Sequence, residues 1–246
     1  MYNYLIKIEY DGTNYVGWQK QKNGISIQQV IENVLKKILK TNIQLIAAGR
    51  TDKGVHAYGQ HANFKAKKII ENKKKFLNSM NFFLQKKSIS ILEIKKKSAN
   101  FHSRYSAKER VYEYCIINRE GSLSIYKNKA WHIKKKLDLN LLRRGAKILQ
   151  GKHDFSTFRA SSCSAKSPIK KISSVVIKRN KEKIIILFKS RSFLQNQVRS
   201  MVGSLKYLSS NNWTFSEFKK AFKSRKRARC APPAPACGLY LLNVKY

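Results

Sequence analysis

The chain has 246 residues, enough for one large domain or two small ones, and 42% of them are hydrophobic and 11% aromatic, which marks a folded protein. Lys and Arg outnumber Asp and Glu by 52 to 13, a net charge of +39 that makes polyanions, nucleic acid first among them, the expected partners. No run approaches the ~18–20 apolar residues of a membrane span, the start MYNYLIKIEY reads as a strand and not a signal peptide, and Cys115, Cys163, Cys230 and Cys237 form no CxxC pair, so a cytoplasmic protein with reduced thiols and no zinc ribbon is expected.

Residues 4–10 read as a strand. Ser26 opens a helix, with Gln29 three positions on as a capping-box partner. Ile27, Val30, Ile31, Val34, Leu35 and Ile38 then recur at helical spacing. Residues 43–48 and 58–66 read as strands around a polar loop, residues 73–84 as a helix and 89–95 as a strand, giving the order β-α-β-β-α-β. The second half repeats it. Residues 110–118 alternate as a strand, and Asp138 caps a helix that runs to Leu149. Residues 172–179 and 183–189 form a hairpin across Asn180, Lys181 and Glu182. Leu194, Val198, Met201, Val202, Leu205 and Leu208 lie at helical spacing, and residues 238–244 form a last strand. The expected class is α+β: two ferredoxin-like βαββαβ halves, residues 1–105 and 106–246, making one extended antiparallel sheet with a central cleft.

The loop between the second and third strands carries the chemistry. It reads Gly49-Arg50-Thr51-Asp52-Lys53-Gly54-Val55-His56-Ala57, and Asp52 is one of four aspartates in the chain, with Asp11, Asp138 and Asp154. A rare carboxylate in a glycine-bracketed turn, between Arg50 and Lys53, reads as a site; a plain turn-capping role is the alternative. Five other segments stand out. These are residues 10–19 (YDGTNYVGWQ), 101–107 (FHSRYSA) leading to Arg110-Val111-Tyr112-Glu113-Tyr114, 151–159 (GKHDFSTFR), 192–199 (SFLQNQVR), and 232–241 (PPAPACGLYL). Tyr112 and Tyr114 share one strand face, so at least one belongs to the core. His56, His61, His102, His132 and His153 lack metal-ligand spacing.

The fragment GRTDKGVHA resembles the catalytic loop of TruA-family tRNA pseudouridine synthases, and the other five segments resemble the family's in the same order, from about residue 9 to 242. The resemblance implies the pseudouridine synthase fold, conversion of uridine to pseudouridine at positions 38, 39 and 40 of the tRNA anticodon stem-loop, no metal or organic cofactor, and a homodimer. In that mapping Asp52 is the catalytic nucleophile, Tyr112 contacts the target base, Arg199 pairs with the aspartate, and Arg50 helps to extrude the nucleotide. Two positions depart from the family pattern: Lys53 stands where alanine is usual, and Gln197 where methionine is common.

Isomerisation breaks the C1′–N1 bond, turns the uracil and joins C1′ to C5, so the base must be held and water kept out. A placed carboxylate can attack C1′ or uracil C6, or take the 2′ proton through a glycal-type intermediate, and the sequence leaves all three open. Two other functions compete. A basic RNA-binding protein could keep the fold without catalysis, and a glycosylase or nucleoside hydrolase could use the same carboxylate. The latter enzymes usually add a second carboxylate or a metal, and only Asp11 and Asp154 sit in loops suited to the former role.

Overall fold

A computed structural model describes residues 1–246. In chain order the elements are β1 (Tyr2–Tyr10), α1 (Ile27–Leu39), β2 (Ile46–Ala47), β3 (His56–Ala66), α2 (Lys73–Leu84), β4 (Ile89–Lys97), β5 (Glu109–Asn118), β6 (Trp131–Ile133), α3 (Leu139–Leu149), β7 (Gly151–Asp154), β8 (Ile169–Asn180), β9 (Lys183–Ser190), α4 (Gln197–Ser209), α5 (Phe215–Lys223) and β10 (Leu239–Lys245). They fall into two compact units, Met1–Lys108 with Tyr240–Tyr246, and Glu109–Leu239. Both are α+β with mainly antiparallel strands.

In the first unit β1 lies between β3 and β4, antiparallel to both. Tyr4, Ile6, Ile8 and Phe64 are fully buried, as are Ile31 and Leu35 of α1 and Met80 and Leu84 of α2. The helices form because their apolar residues recur on one stripe and their first N–H groups have partners. Ser26 Oγ accepts from Gln29 N, and Asn72 Oδ1 from Lys75 N. The strand expected at residues 43–48 is short: only Ile46 and Ala47 pair with β3. Leu45 N–H donates instead to Glu32 Oε1 at 2.9 Å, so a side chain of α1 takes the place of a strand partner. The last strand, read from sequence as closing the second half, groups with the first. It runs parallel to β3, with Tyr240 opposite His56 and Leu241 opposite Ala57, and Lys245 O accepts from Lys108 N at 2.8 Å.

A polar core lies within this unit. Asn63 Nδ2 donates to Asn3 Oδ1, Asn63 Oδ1 accepts from Ser103 N, and Asn3 Nδ2 reaches the Ser98 and Phe101 carbonyls, which pins residues 98–103 to the strands. His61 sits beside it, 8% exposed, with Nδ1 3.2 Å from Gly59 O and its ring edge-on to Tyr246. Burial, aided by Lys7 and Lys95 and opposed by the Gly59 carbonyl and Glu93, lowers its pKa from 6.5 to about 4. Below 6.5 the unfolded chain takes up a proton that folded His61 refuses, so its stabilisation is complete above that pH and lost as pH falls toward 4. The expected loss is up to about 3 kcal/mol. Urea unfolding of wild type and His61→Gln across this window should show the wild type losing more stability; parallel curves would remove His61 from the balance.

In the second unit the strands run β5-β9-β8-β7, all antiparallel, with β6 added parallel to β5. The β8–β9 hairpin turns at Lys181, which takes φ 52°. Asp138 caps α3 as expected, accepting from Asn140 N and Leu141 N. Gly145 lets α3 approach α4: a Cβ there would lie 2.7 Å from Leu205 Cδ2. Helix α4 starts at Gln197, three residues after Leu194, where the helical spacing of apolar residues begins. Asn196 adopts the left-handed conformation at φ 60°, and Gln197 Oε1 takes the Leu194 N–H, which stops the helix from extending backwards. The sequence reading omitted β6, β7 and α5. Helix α5 has a legible start, since Thr214 and Glu217 form a reciprocal capping box and Phe218 and Phe222 are buried at helical spacing.

Candidate active site

The loop from Gly49 to Val55 joins β2 to β3 and is fixed from several sides within the first unit. Upstream, Ala48 N donates to His61 O at 2.7 Å, and Gln60 Nε2 donates to Gly49 O at 2.7 Å. The turn itself closes through Val55 N to Asp52 O at 3.2 Å, with Gly54 at φ +76°. The segment after β1 lies directly against it. Trp18 N donates to Thr51 O at 3.0 Å, and Tyr10 Oη and Thr51 Oγ1 are 2.7 Å apart. Gly17 takes φ +111°, and a Cβ there would lie 2.7 Å from Thr51 O and 3.1 Å from the Asp52 carbonyl carbon. Side chains larger than hydrogen are therefore barred by both conformation and space. The same segment continues into α1, where Ile27 N and Gln28 N donate to Gly17 O and Trp18 O. Thr51 and Val55 are buried, Asp52 is half-buried, and Arg50 and Lys53 are exposed. The unusual Lys53 thus adds a solvent-facing cation beside the aspartate.

In the second unit, Tyr112 and Tyr114 point to the same side of β5 but differ in role. Tyr114 is fully buried, donates its hydroxyl to Pro235 O at 2.7 Å, and packs on Gly238, where a Cβ would lie 2.7 Å from Cζ of the ring. It is the core tyrosine of the pair. Tyr112 keeps 8% exposure and meets Phe193 edge-on, ring centroids 5.2 Å apart. Arg199 is the third residue of α4 and half-buried. Its Nε donates to Ala234 O at 2.8 Å and Nη1 lies 3.4 Å from Asn196 Oδ1, while its own carbonyl accepts from Ala234 N at 2.9 Å. The proline-rich segment is held close by Gly203, where a Cβ would fall 2.0 Å from Pro232 O. The guanidinium is therefore oriented by backbone before any substrate arrives. Gln197 is fully buried and serves the helix start.

Sequence reading did not assign work to Tyr10, Gly17, Thr51, Asn196 or Ala234. Gly17 and Asn196 had a signal, since each is a turn-prone residue inside a segment already singled out. Tyr10 and Ala234 act through contacts 41 and 35 residues away in sequence, which no local pattern reveals.

An aspartate presented on a doubly braced turn, in a chain with a large cationic excess, is a candidate reacting group for a polyanionic substrate. Comparison with known proteins makes this specific. A family model described as tRNA pseudouridine synthase matches residues 6–106 and 146–246. Proteins called tRNA pseudouridine synthase A are similar along their length: that of Pelagibacter ubique is 56% identical over 246 residues, covering 100% of both chains. That of Parvibaculum lavamentivorans is 40% identical over 248 residues with 100% of both covered, and that of Maricaulis maris 39% identical, covering 100% of this chain and 98% of its own. The chain belongs to the tRNA pseudouridine synthase family, isomerases that act on tRNA uridine. No helix is long and apolar enough to cross a membrane.

Proposed function

We propose that this chain isomerises uridine to pseudouridine at positions 38, 39 and 40 of the tRNA anticodon stem-loop, as a cytoplasmic homodimer, with Asp52 as nucleophile. The observation that carries the reading is the rigid presentation of Asp52. Its turn is tied to β3, to the Gly17–Trp18 segment and to Tyr10, so the backbone that carries the carboxylate is held on several sides. Such fixing is what positional catalysis needs. Of the residues assigned, Asp52 and Arg50 lie in residues 1–105 and Tyr112 and Arg199 in residues 106–246.

The reaction gains and loses no atoms. The C1′–N1 bond breaks, the uracil turns in place, C1′–C5 forms, C5 gives up its hydrogen and N1 takes a proton. Asp52 forms the transient bond or takes the 2′ proton. Tyr112 faces the uracil, its ring giving a stacking surface and its hydroxyl a proton shuttle. Arg199 orients the carboxylate with a charge-assisted hydrogen bond. The target uridine leaves its stack to reach them, and Arg50, exposed beside the turn, favours the extruded nucleotide.

Incubation with an unmodified tRNA transcript, followed by pseudouridine mapping, tests the reading: pseudouridine should appear at positions 38–40. Free uracil would show a glycosylase, and bound but unchanged tRNA an RNA-binding protein. Binding should also be strongly salt-dependent. For each phosphate neutralised, log K should fall by about 0.7–0.9 per unit of log salt. Lysine dominates the cations, and Ile and Asn are common too, a composition that AT-rich coding also produces. Affinity that barely changes between low and moderate salt would assign most of the lysine excess to that origin.

A further inference from the structure

Strand β3 carries an aromatic ladder next to the Asp52 turn that the proposed chemistry does not use. The rings of His56 and Tyr240 stack with centroids 4.7 Å apart, and Tyr240 stacks in turn on Tyr58 at 4.9 Å with only 10° between planes. Exposure rises along the stack: His56 2%, Tyr240 7%, Tyr58 45%. The inner end is anchored. His56 Nδ1 lies 3.1 Å from the Gly12 N–H and 2.9 Å from Asp11 Oδ1, and Asp11 Oδ1 also accepts from Thr13 N and Oγ1. The outer end is aimed by an irregularity in the strand. Between Ile8 opposite Gln60 and Tyr10 opposite Ala57, Glu9 of β1 faces two residues of β3, Tyr58 and Gly59. A bulge of this kind turns a side chain out of the regular alternation. Beside it, Gly59 lets β10 lie close, since a Cβ there would fall 2.6 Å from Leu242 O.

The outer ring of the stack, Tyr58, is large, flat and polar-tipped, and it is 45% exposed. The cations Arg50 and Lys53 are exposed on the turn, eight and five residues before Tyr58, and the chain carries +39. An aromatic surface among cations fits a single-stranded nucleic acid, whose bases stack while its phosphates pair with the charges. We infer that Tyr58 is a stacking platform for an unpaired nucleobase of the tRNA beside the target uridine, pre-set by the Tyr240–His56 stack. The inference rests on the tRNA-modifying reading above and extends it to a residue outside the reacting centre.

The test measures binding of the full-length protein to an unmodified tRNA transcript over a salt series, alongside pseudouridine yield. Tyr58→Leu should weaken binding roughly 5- to 100-fold, the range for losing one stacked base, with the slope of log K against log salt unchanged because no phosphate contact is removed. Tyr58→Phe should recover most of that loss. Tyr58→Trp gives a second readout that does not depend on a damaged protein: its added emission, relative to wild type, should be quenched on tRNA binding. Tyr58→Leu with wild-type affinity, a Tyr58→Trp emission blind to tRNA, or a halving of the solution mass in Tyr58→Leu, which would make the ring a contact between copies of this chain, would each overturn the platform. Wild-type protein that binds the transcript without forming pseudouridine would instead strike the underlying reading, whatever the Tyr58 variants do.

Discussion

Asp52→Asn should abolish pseudouridine formation, by at least about 10⁴-fold in rate, and leave tRNA affinity within about twofold. The substitution keeps size and shape and removes only the nucleophilic carboxylate. The turn should survive it, because several of the bonds that hold it are made by other groups. The Val55 N–H meets the backbone carbonyl of Asp52, Trp18 N and Tyr10 Oη meet Thr51, and Gly17 packs on backbone. Tight binding without turnover is therefore the expected signature, read as single-turnover rate beside equilibrium binding. Near wild-type turnover by a verified Asp52→Asn protein would sink the nucleophile assignment under all three chemical routes.

Arg199→Leu should lower the rate by about 10²-fold or more, the scale for misplacing a reacting group, while tRNA binding falls only a few-fold. The chain has 52 Lys and Arg residues, so the loss of one hardly alters the overall attraction for phosphate. Folding should persist, because the backbone bond from Ala234 N to Arg199 O remains when the side chain is cut back. Arg199→Lys should rescue poorly. A lysine cannot both donate to Ala234 O and present a planar fork to a carboxylate. Tyr112→Phe separates two roles at the facing position: the ring can still meet Phe193 edge-on, so a rate loss would belong to the hydroxyl, and an unchanged rate would leave Tyr112 a platform only. A fall in binding that matches the fall in rate for Arg199→Leu would mark a phosphate contact and not a partner of Asp52.

Much of this was legible in the sequence where local chemistry dominates. The α1 stripe from Ile27, the Asp138 cap and the hairpin at Lys181 are set by neighbours a few residues apart, and they formed as read. The Asp52 turn was legible for the same reason: a rare carboxylate between glycines is a local signal. The misses are non-local. Residues 43–48 have strand-like composition, yet Glu32 of α1 claims the Leu45 N–H and shortens β2. The last strand has no feature that announces parallel pairing with β3; the Tyr240 ring, stacked between His56 and Tyr58, shows why it sits there only once the strands are side by side. The start of α4 was misjudged because apolar spacing extends to Leu194, whereas the backbone of Asn196 and the side chain of Gln197 set the boundary. Braces such as Tyr10 on Thr51 and Ala234 on Arg199 join distant segments, so composition and periodicity are blind to them.

The central claim is that Asp52 is the group that reacts with the uridine, and an experimental structure of the protein bound to an anticodon stem-loop RNA tests it most directly. The Asp52 carboxylate should lie against the flipped uridine, within about 3.5 Å of C1′, the 2′ carbon or uracil C6. An Asp52 carboxylate directed away from the bound uridine would contradict the assignment even with the family membership intact.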